Sequence, residues 1–120
     1  MDNLAHALVG AALGRAVADR HVPRAATLGI IAANAPDWTE LFLGWPQWTR
    51  AEFLLMHRGI THSLLGAIVE TVALTLVIGG AWRVVRRWRA TPTTVPPWHW
   101  LTACIGVAVL SHLYMDWQGS

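Results

Sequence analysis

The run Ser63-Leu-Leu-Gly-Ala-Ile-Val-Glu-Thr-Val-Ala-Leu-Thr-Leu-Val-Ile-Gly-Gly-Ala-Trp82 carries inside it only three polar side chains, Glu70, Thr71 and Thr75. Coiled as a helix it would be about 30 Å long, the thickness of a bilayer's hydrocarbon core, and so it predicts a transmembrane helix. Arg83, Arg86, Arg87 and Arg89 close it, followed by a turn-rich linker, Thr91 to Pro97, with prolines at 92, 96 and 97. A second apolar run then extends from Trp98 to Trp117, with Trp98 and Trp100 at one end and Tyr114 and Trp117 at the other. Aromatic belts at both ends predict a second crossing in the return direction.

Upstream, Asp2 and Asn3 precede an apolar stretch that meets Arg15 and Arg20, which predicts a helix over residues 3–20 with acid at its start and base at its end. Val22, Pro23 and Arg24 break it. A second segment, 25–34, is expected to stop at Ala35-Pro36, because the residue before a proline resists helical geometry. Residues 37–50, with Trp38, Trp45, Pro46 and Trp48, read as an interfacial loop, and 51–56 as a short helix. The expected fold class is all-α: a small integral-membrane bundle with two spanning helices, an N-terminal helical hairpin and a Trp-rich interfacial loop.

Composition agrees. The 120 residues are 54% hydrophobic and 13% charged, with a mean hydropathy of +0.39, against roughly 25% charged in an average soluble domain. That excludes a disordered chain and argues against a soluble monomer, and the length allows one domain. The net charge is +2 and all nine basic residues are Arg. They flank apolar runs instead of lining a polar face, so they read as topology signals and no nucleic-acid partner is expected. Met1 to Arg20 has no basic stretch ahead of its apolar part and does not read as a removable signal peptide. The one cysteine, Cys104, rules out an internal disulfide and a Cys-based zinc ribbon and reads as a small buried hydrophobe.

The residues that interrupt the apolar segments are His6, Asp37, His57, His62, His112 and Asp116. His112 and Asp116, four apart, project from one helical face, a spacing that suits two ligands of one ion or a helix-end hydrogen bond. His57 and His62 bracket Arg58-Gly59-Ile60-Thr61 and converge if the chain folds over the helix start; each reads equally as a loop histidine. The assumed topology adds weight. Two antiparallel crossings put His57, His62, His112 and Asp116 on one membrane face, and a hairpin turning at 21–24 adds His6 and Asp37. Seven Arg (15, 20, 24, 83, 86, 87, 89) then fall at the other face, leaving only Arg50 and Arg58 beside the histidines. Imidazole and carboxylate without thiolate suit Zn2+, Mn2+ or Fe2+, with Zn2+ first. Retention of Arg in the cytoplasm would turn the ligand-bearing face outward.

Met1-Asp-Asn-Leu-Ala-His6, Asn34-Ala-Pro-Asp37, His57-Arg-Gly-Ile-Thr-His62-Ser-Leu and Ser111-His112-Leu-Tyr-Met-Asp116-Trp resemble, in that order, the signatures of the bacterial membrane-bound metal-dependent hydrolases, some of which are labelled LexA-binding inner-membrane proteins. The resemblance spans the whole chain. It implies a multi-pass inner-membrane helical hydrolase with its metal held by those His and Asp positions, and a LexA-like protein partner for part of the family. The family's Pro-Asp motif continues with a second acid two residues on; here that position is Thr39, and the next acid is Glu40. Family members run on past the last motif into further helices, so residues 1–120 are read as one hydrolase-like domain, either a short member or the N-terminal part of a longer architecture.

The expected chemistry is metal-assisted hydrolysis of a phosphoester or lipid-like ester at the membrane surface. His6, Asp37, His57, His62, His112 and Asp116 are the candidate ligands, Asp37 or Glu70 the general base, and Arg58 the group that steadies developing negative charge. Glu70 reads equally as a packed, hydrogen-bonded residue, and Arg50 and Arg58 as interfacial anchors. Membrane lipids and a small-molecule or lipid-like substrate are the expected partners, with an oligomer compatible. The competing class is a non-enzymatic regulatory or scaffold protein with a structural metal site or polar network. A transporter or proton relay through Glu70 is a third.

Overall fold

The structure, a computed structural model, describes residues 3–44, 49, 51–52, 62–90 and 94–119, and their side chains except at 39–44 and 119. Within them lie no strand, four helices, α1 (Asn3–Ala18), α2 (Ala25–Gly44), α3 (Leu64–Arg89) and α4 (Trp98–Gly119), and two further helical residues, Ala51 and Glu52.

α1 and α2 form the expected hairpin, and small residues set how close they come. Gly10 faces the Gly29 carbonyl and Ala33, and Gly14 faces the Ala25 carbonyl, so the helices run antiparallel with backbone nearly on backbone. The Gly10-x-x-x-Gly14 spacing puts both glycines on one face, the small-residue device of membrane helix pairs. In the turn, the His21 and Val22 amides both donate to the Ala18 carbonyl, at 2.9 and 2.8 Å, and Val22 plugs the end of the core.

α4 is the central helix, packed by α1, α2 and α3. Leu101, Cys104, Ile105, Ala108, Val109 and His112 are fully buried along it, spaced three and four apart as one helical stripe needs. α3 follows the opposite rule. Its buried positions are small or polar (Ala67, Glu70, Thr75, Gly79), with Leu74, Ile78 and Trp82 partly buried against the core, whereas Leu65 is 71% exposed and Val77 67%. The inward hydroxyls are satisfied by their own helix: Thr71 donates to the Ala67 carbonyl and Thr75 to the Thr71 carbonyl, each at 2.7 Å. A helix with its apolar side chains outward and its polar ones inward is arranged for lipid, where close packing and internal hydrogen bonds replace hydrophobic burial.

Three expectations need correction. Among the described residues only α3 is long and apolar enough to cross a membrane, so a second crossing at 98–117 is unsupported. His99, Thr102, Ser111, His112, Asp116 and Gln118 dilute that run's apolarity, and its apolar stripe is covered by the other helices. Second, α2 does not stop before Pro36 but continues to Gly44. An internal proline deletes one backbone hydrogen bond, and packing against neighbours lets the helix persist. Third, residues 37–44 of the expected interfacial loop are therefore helical, while 45–48 lie outside the described residues. The short helix expected at 51–56 is described only at Ala51 and Glu52, both helical. It opens on a capping box: Thr49 donates to Glu52 from its amide (2.8 Å) and hydroxyl (2.9 Å), and the Glu52 amide returns to the Thr49 hydroxyl at 3.3 Å. Those bonds, the backbone one foremost, hold the Glu52 carboxyl below the usual carboxylate range.

α3 starts on Ser63, whose hydroxyl accepts from the Gly66 amide at 3.0 Å. It ends on Ala90 in the left-handed region, φ 48° and ψ 31°, where a Cβ is strained and glycine is not. Ala90→Gly is expected to raise stability by about 0.5–1 kcal/mol, the relieved strain less the added unfolded-chain entropy. Denaturant unfolding in a mild detergent measures it, and an unchanged or lowered midpoint would contradict the assigned conformation.

Candidate metal centre

The antiparallel hairpin and the antiparallel α3–α4 pair bring His6 of α1, Asp37 of α2, His62 just before α3, and His112 and Asp116 of α4 to one end of the bundle. Asp37, His62, His112 and Asp116 each offer a ligand atom within 4.8 Å of all the others.

His112 is fully buried and its Nδ1 donates to the Ala33 carbonyl at 2.6 Å. A carbonyl can only accept, so in the neutral ring Nε2 is a bare lone pair. That atom lies 3.0 Å from His62 Nε2, 3.2 Å from Asp116 Oδ2 and 3.5 Å from Asp37 Oδ1. His62 Nε2 is in turn 2.9 Å from Asp116 Oδ2 and 3.7 Å from Asp37 Oδ1. Donors about 2.0–2.1 Å from a tetrahedral ion stand about 3.3–3.4 Å apart, and about 2.9 Å apart around an octahedral one. Three of the five separations fall in that range, and the two to Asp37 Oδ1 are longer, at 3.5 and 3.7 Å.

Ala33 and Asp37 are one helical turn apart on α2, so the same face that fixes the His112 ring through Nδ1 sets a carboxylate against Nε2. This pairing of backbone carbonyl and imidazole is how ligating histidines are held in one tautomer. Pro36 lies between the two positions. Two residues before Pro36, buried Asn34 donates its side-chain amide to the Ile30 carbonyl at 2.9 Å.

His6 stands beside the cluster. Its ring stacks on His112, centroids 4.1 Å apart and 27° between planes, and its Nε2 is 3.1 Å from Asp116 Oδ1. The ring is fully buried, and its Nδ1 finds no hydrogen-bond partner among the described residues. Asp116 is thus shared, one oxygen toward His6 and the other toward His62 and His112. The carboxylates form the accessible side of the site: Asp37 and Asp116 side chains are 28% and 20% exposed, His62 only 9%.

Of the expected ligands, the structure therefore brings Asp37, His62, His112 and Asp116 together with His6 adjoining. His57 and Arg58, like Arg50, lie outside the described residues. Glu70, a candidate base, is buried on α3 and is not one of the groups that meet at the cluster. The Ala33 carbonyl was not singled out from sequence; its signal is only its position one turn before Asp37.

Residues 1–120 match the family described as YdjM inner membrane protein. No curated protein and no solved structure matches.

Proposed function

The chain belongs to the YdjM inner membrane protein family, and from that premise we propose that it is a membrane-bound metal-dependent hydrolase, with one divalent ion, Zn2+ first among Zn2+, Mn2+ and Fe2+, held by Asp37, His62, His112 and Asp116. The convergence of four ligand atoms carries the reading. Two carboxylate oxygens and the His112 Nε2 lone pair lie within 3.5 Å of one another or of His62. A cation stabilises such a set of acceptors, and two imidazoles with two carboxylates suit a borderline transition metal.

A divalent ion there supplies Lewis acidity toward water and toward a scissile ester. The residues do the rest. Ala33 keeps the His112 lone pair aimed at the cluster, and His6 holds Asp116 by the oxygen the cluster does not use. Asp37, on the accessible side, accepts the proton of an attacking water. Arg58 is assigned from the sequence motif to steady charge on a phosphoryl or acyl oxygen. The location at a membrane surface favours a phosphoester or lipid-like ester.

The test is turnover of a generic phosphodiester, phosphomonoester and carboxylic ester by detergent-purified, Zn2+-loaded protein. Asp37→Asn, which removes a ligand's charge together with the base, is expected to lower turnover by about 100-fold or more, and Arg58→Ala to lower it more than Arg50→Ala. A metal-loaded, folded protein inert on all three classes would overturn the hydrolase reading and leave a structural metal site in a scaffold protein.

A further inference from the structure

At the opposite end of the bundle from the metal centre, a cleft of about 430 Å³ is lined by Arg83, Arg86, Arg87, Ala90 and Val95. Arg83 and the pair Arg86–Arg87 are three and four residues apart, so a single face of α3 carries all three guanidinium groups. Arg83 is held in place. Its Nη1 donates to the Gly79 carbonyl at 3.1 Å, its Nη2 to the Pro96 carbonyl at 3.3 Å, and its guanidinium lies 3.8 Å over the Trp98 ring. Gly79 makes room for this, since a Cβ there would collide with the Trp98 ring. Val95 and buried Pro96 lie beside the same arginines. Among the described residues no carboxylate pairs with Arg83, Arg86 or Arg87, although the chain has seven acidic groups. Charge retained for topology alone needs no cleft and no fixed guanidinium.

Trp88 is 85% exposed and Trp98 42%, rings of the kind that rest at headgroup depth, the first on the same helix end as the arginines and the second under the Arg83 guanidinium. His21 of the α1–α2 turn stacks on Trp100, centroids 4.0 Å apart, so Arg15 and Arg20 reach the same end of the bundle. They line a separate cleft of about 260 Å³ that also contains Asp19.

The geometry points to a binding site for the phosphate of an anionic phospholipid headgroup in the Arg83–Arg86–Arg87 cleft. Guanidinium forks match phosphate oxygens bidentately, basic pockets at helix ends are a recurrent site for such headgroups, and Arg83 is already oriented. This site is separate from the metal centre and does not depend on hydrolysis.

The experiment titrates the purified full chain in a neutral maltoside detergent with dioctanoyl phosphatidylglycerol, and counts bound lipid by native mass spectrometry. Phosphatidylcholine and inorganic phosphate are parallel arms. Tight binding of phosphatidylglycerol is expected, weakened about thirty-fold in Arg86→Gln/Arg87→Gln, the worth of two interfacial cations. Both residues are exposed, so the double variant is expected to fold. Arg15→Gln/Arg20→Gln removes equal charge from the same end and should weaken binding less than about three-fold. Equal weakening by the two double variants would overturn the site in favour of diffuse charge. Equal uptake of phosphatidylcholine would overturn headgroup recognition, and displacement by inorganic phosphate at equal concentration would overturn the lipid as ligand.

Discussion

Asp116→Asn is expected to purify folded and to hold less than about a tenth of the Zn2+ retained by the parent chain, since even a group that only orients a ligand costs 10–100-fold in metal affinity when lost. The exchange keeps size and shape and removes one charge. It strikes the residue whose Oδ2 lies 2.9 Å from His62 Nε2 and 3.2 Å from His112 Nε2. His112→Ala should lose the metal as completely and also destabilise the chain. It empties a fully buried position and leaves the Ala33 carbonyl without its 2.6 Å donor, a loss of about 1–3 kcal/mol for the unpaired group alone. Glu70→Gln and His99→Ala should leave metal content unchanged, because neither residue belongs to the converging set. Metal analysis of detergent-purified proteins, with circular dichroism to verify folding, measures all four. A well-folded parent chain that takes up no divalent metal would sink the assignment, as would full loading of Asp116→Asn.

The sequence displayed this centre unevenly. His112 and Asp116 were legible as a pair because helical spacing is local, and His62 joined them once the two long apolar runs were set antiparallel. That step survives the loss of the second predicted crossing, because it needs only that α3 and α4 pack side by side in opposite directions. Asp37 was legible as a residue but not in its local structure. Proline propensity put it in a loop, whereas packing carries α2 through Pro36 and holds Asp37 one turn beyond Ala33. The centrality of α4 was invisible for a related reason: apolar content does not say whether a stripe faces lipid or other helices. α3 is helical where the sequence predicted it and is a candidate span by length and composition, yet it runs on to Arg89, since arginine is a good helix former and suits a helix C-terminus. Glu70 could not be placed from spacing alone, because its distance from the cluster depends on how far α3 descends from His62.

The tightest constraint on the site lies away from its ligands, at the glycines of the hairpin, and Gly29→Ala is expected to cost more than about 3 kcal/mol or to prevent folding. Extra methylenes in a packed core usually cost about 1–3 kcal/mol, because side chains can still rotate away. At Gly29 the new Cβ would meet the Gly10 carbonyl, with the Ala11 amide nitrogen at 3.3 Å, and backbone has no rotamer to yield. The only relief is to push α1 from α2. His6 lies one turn from Gly10 on α1, while Ala33 and Asp37 lie one and two turns from Gly29 on α2. Separation of the helices therefore moves His6 away from Asp116 and Asp37 away from His112, so metal affinity should fall with stability although no ligand is altered. Gly80→Ala is the matched comparison. Nothing lies within 4 Å of a Cβ there, so alanine should be neutral or stabilising by up to about 1 kcal/mol through helix propensity. Unfolding midpoints and Zn2+ content of the two variants separate the explanations. If Gly29→Ala and Gly80→Ala behave alike, close backbone packing is not what holds the hairpin ligands in place.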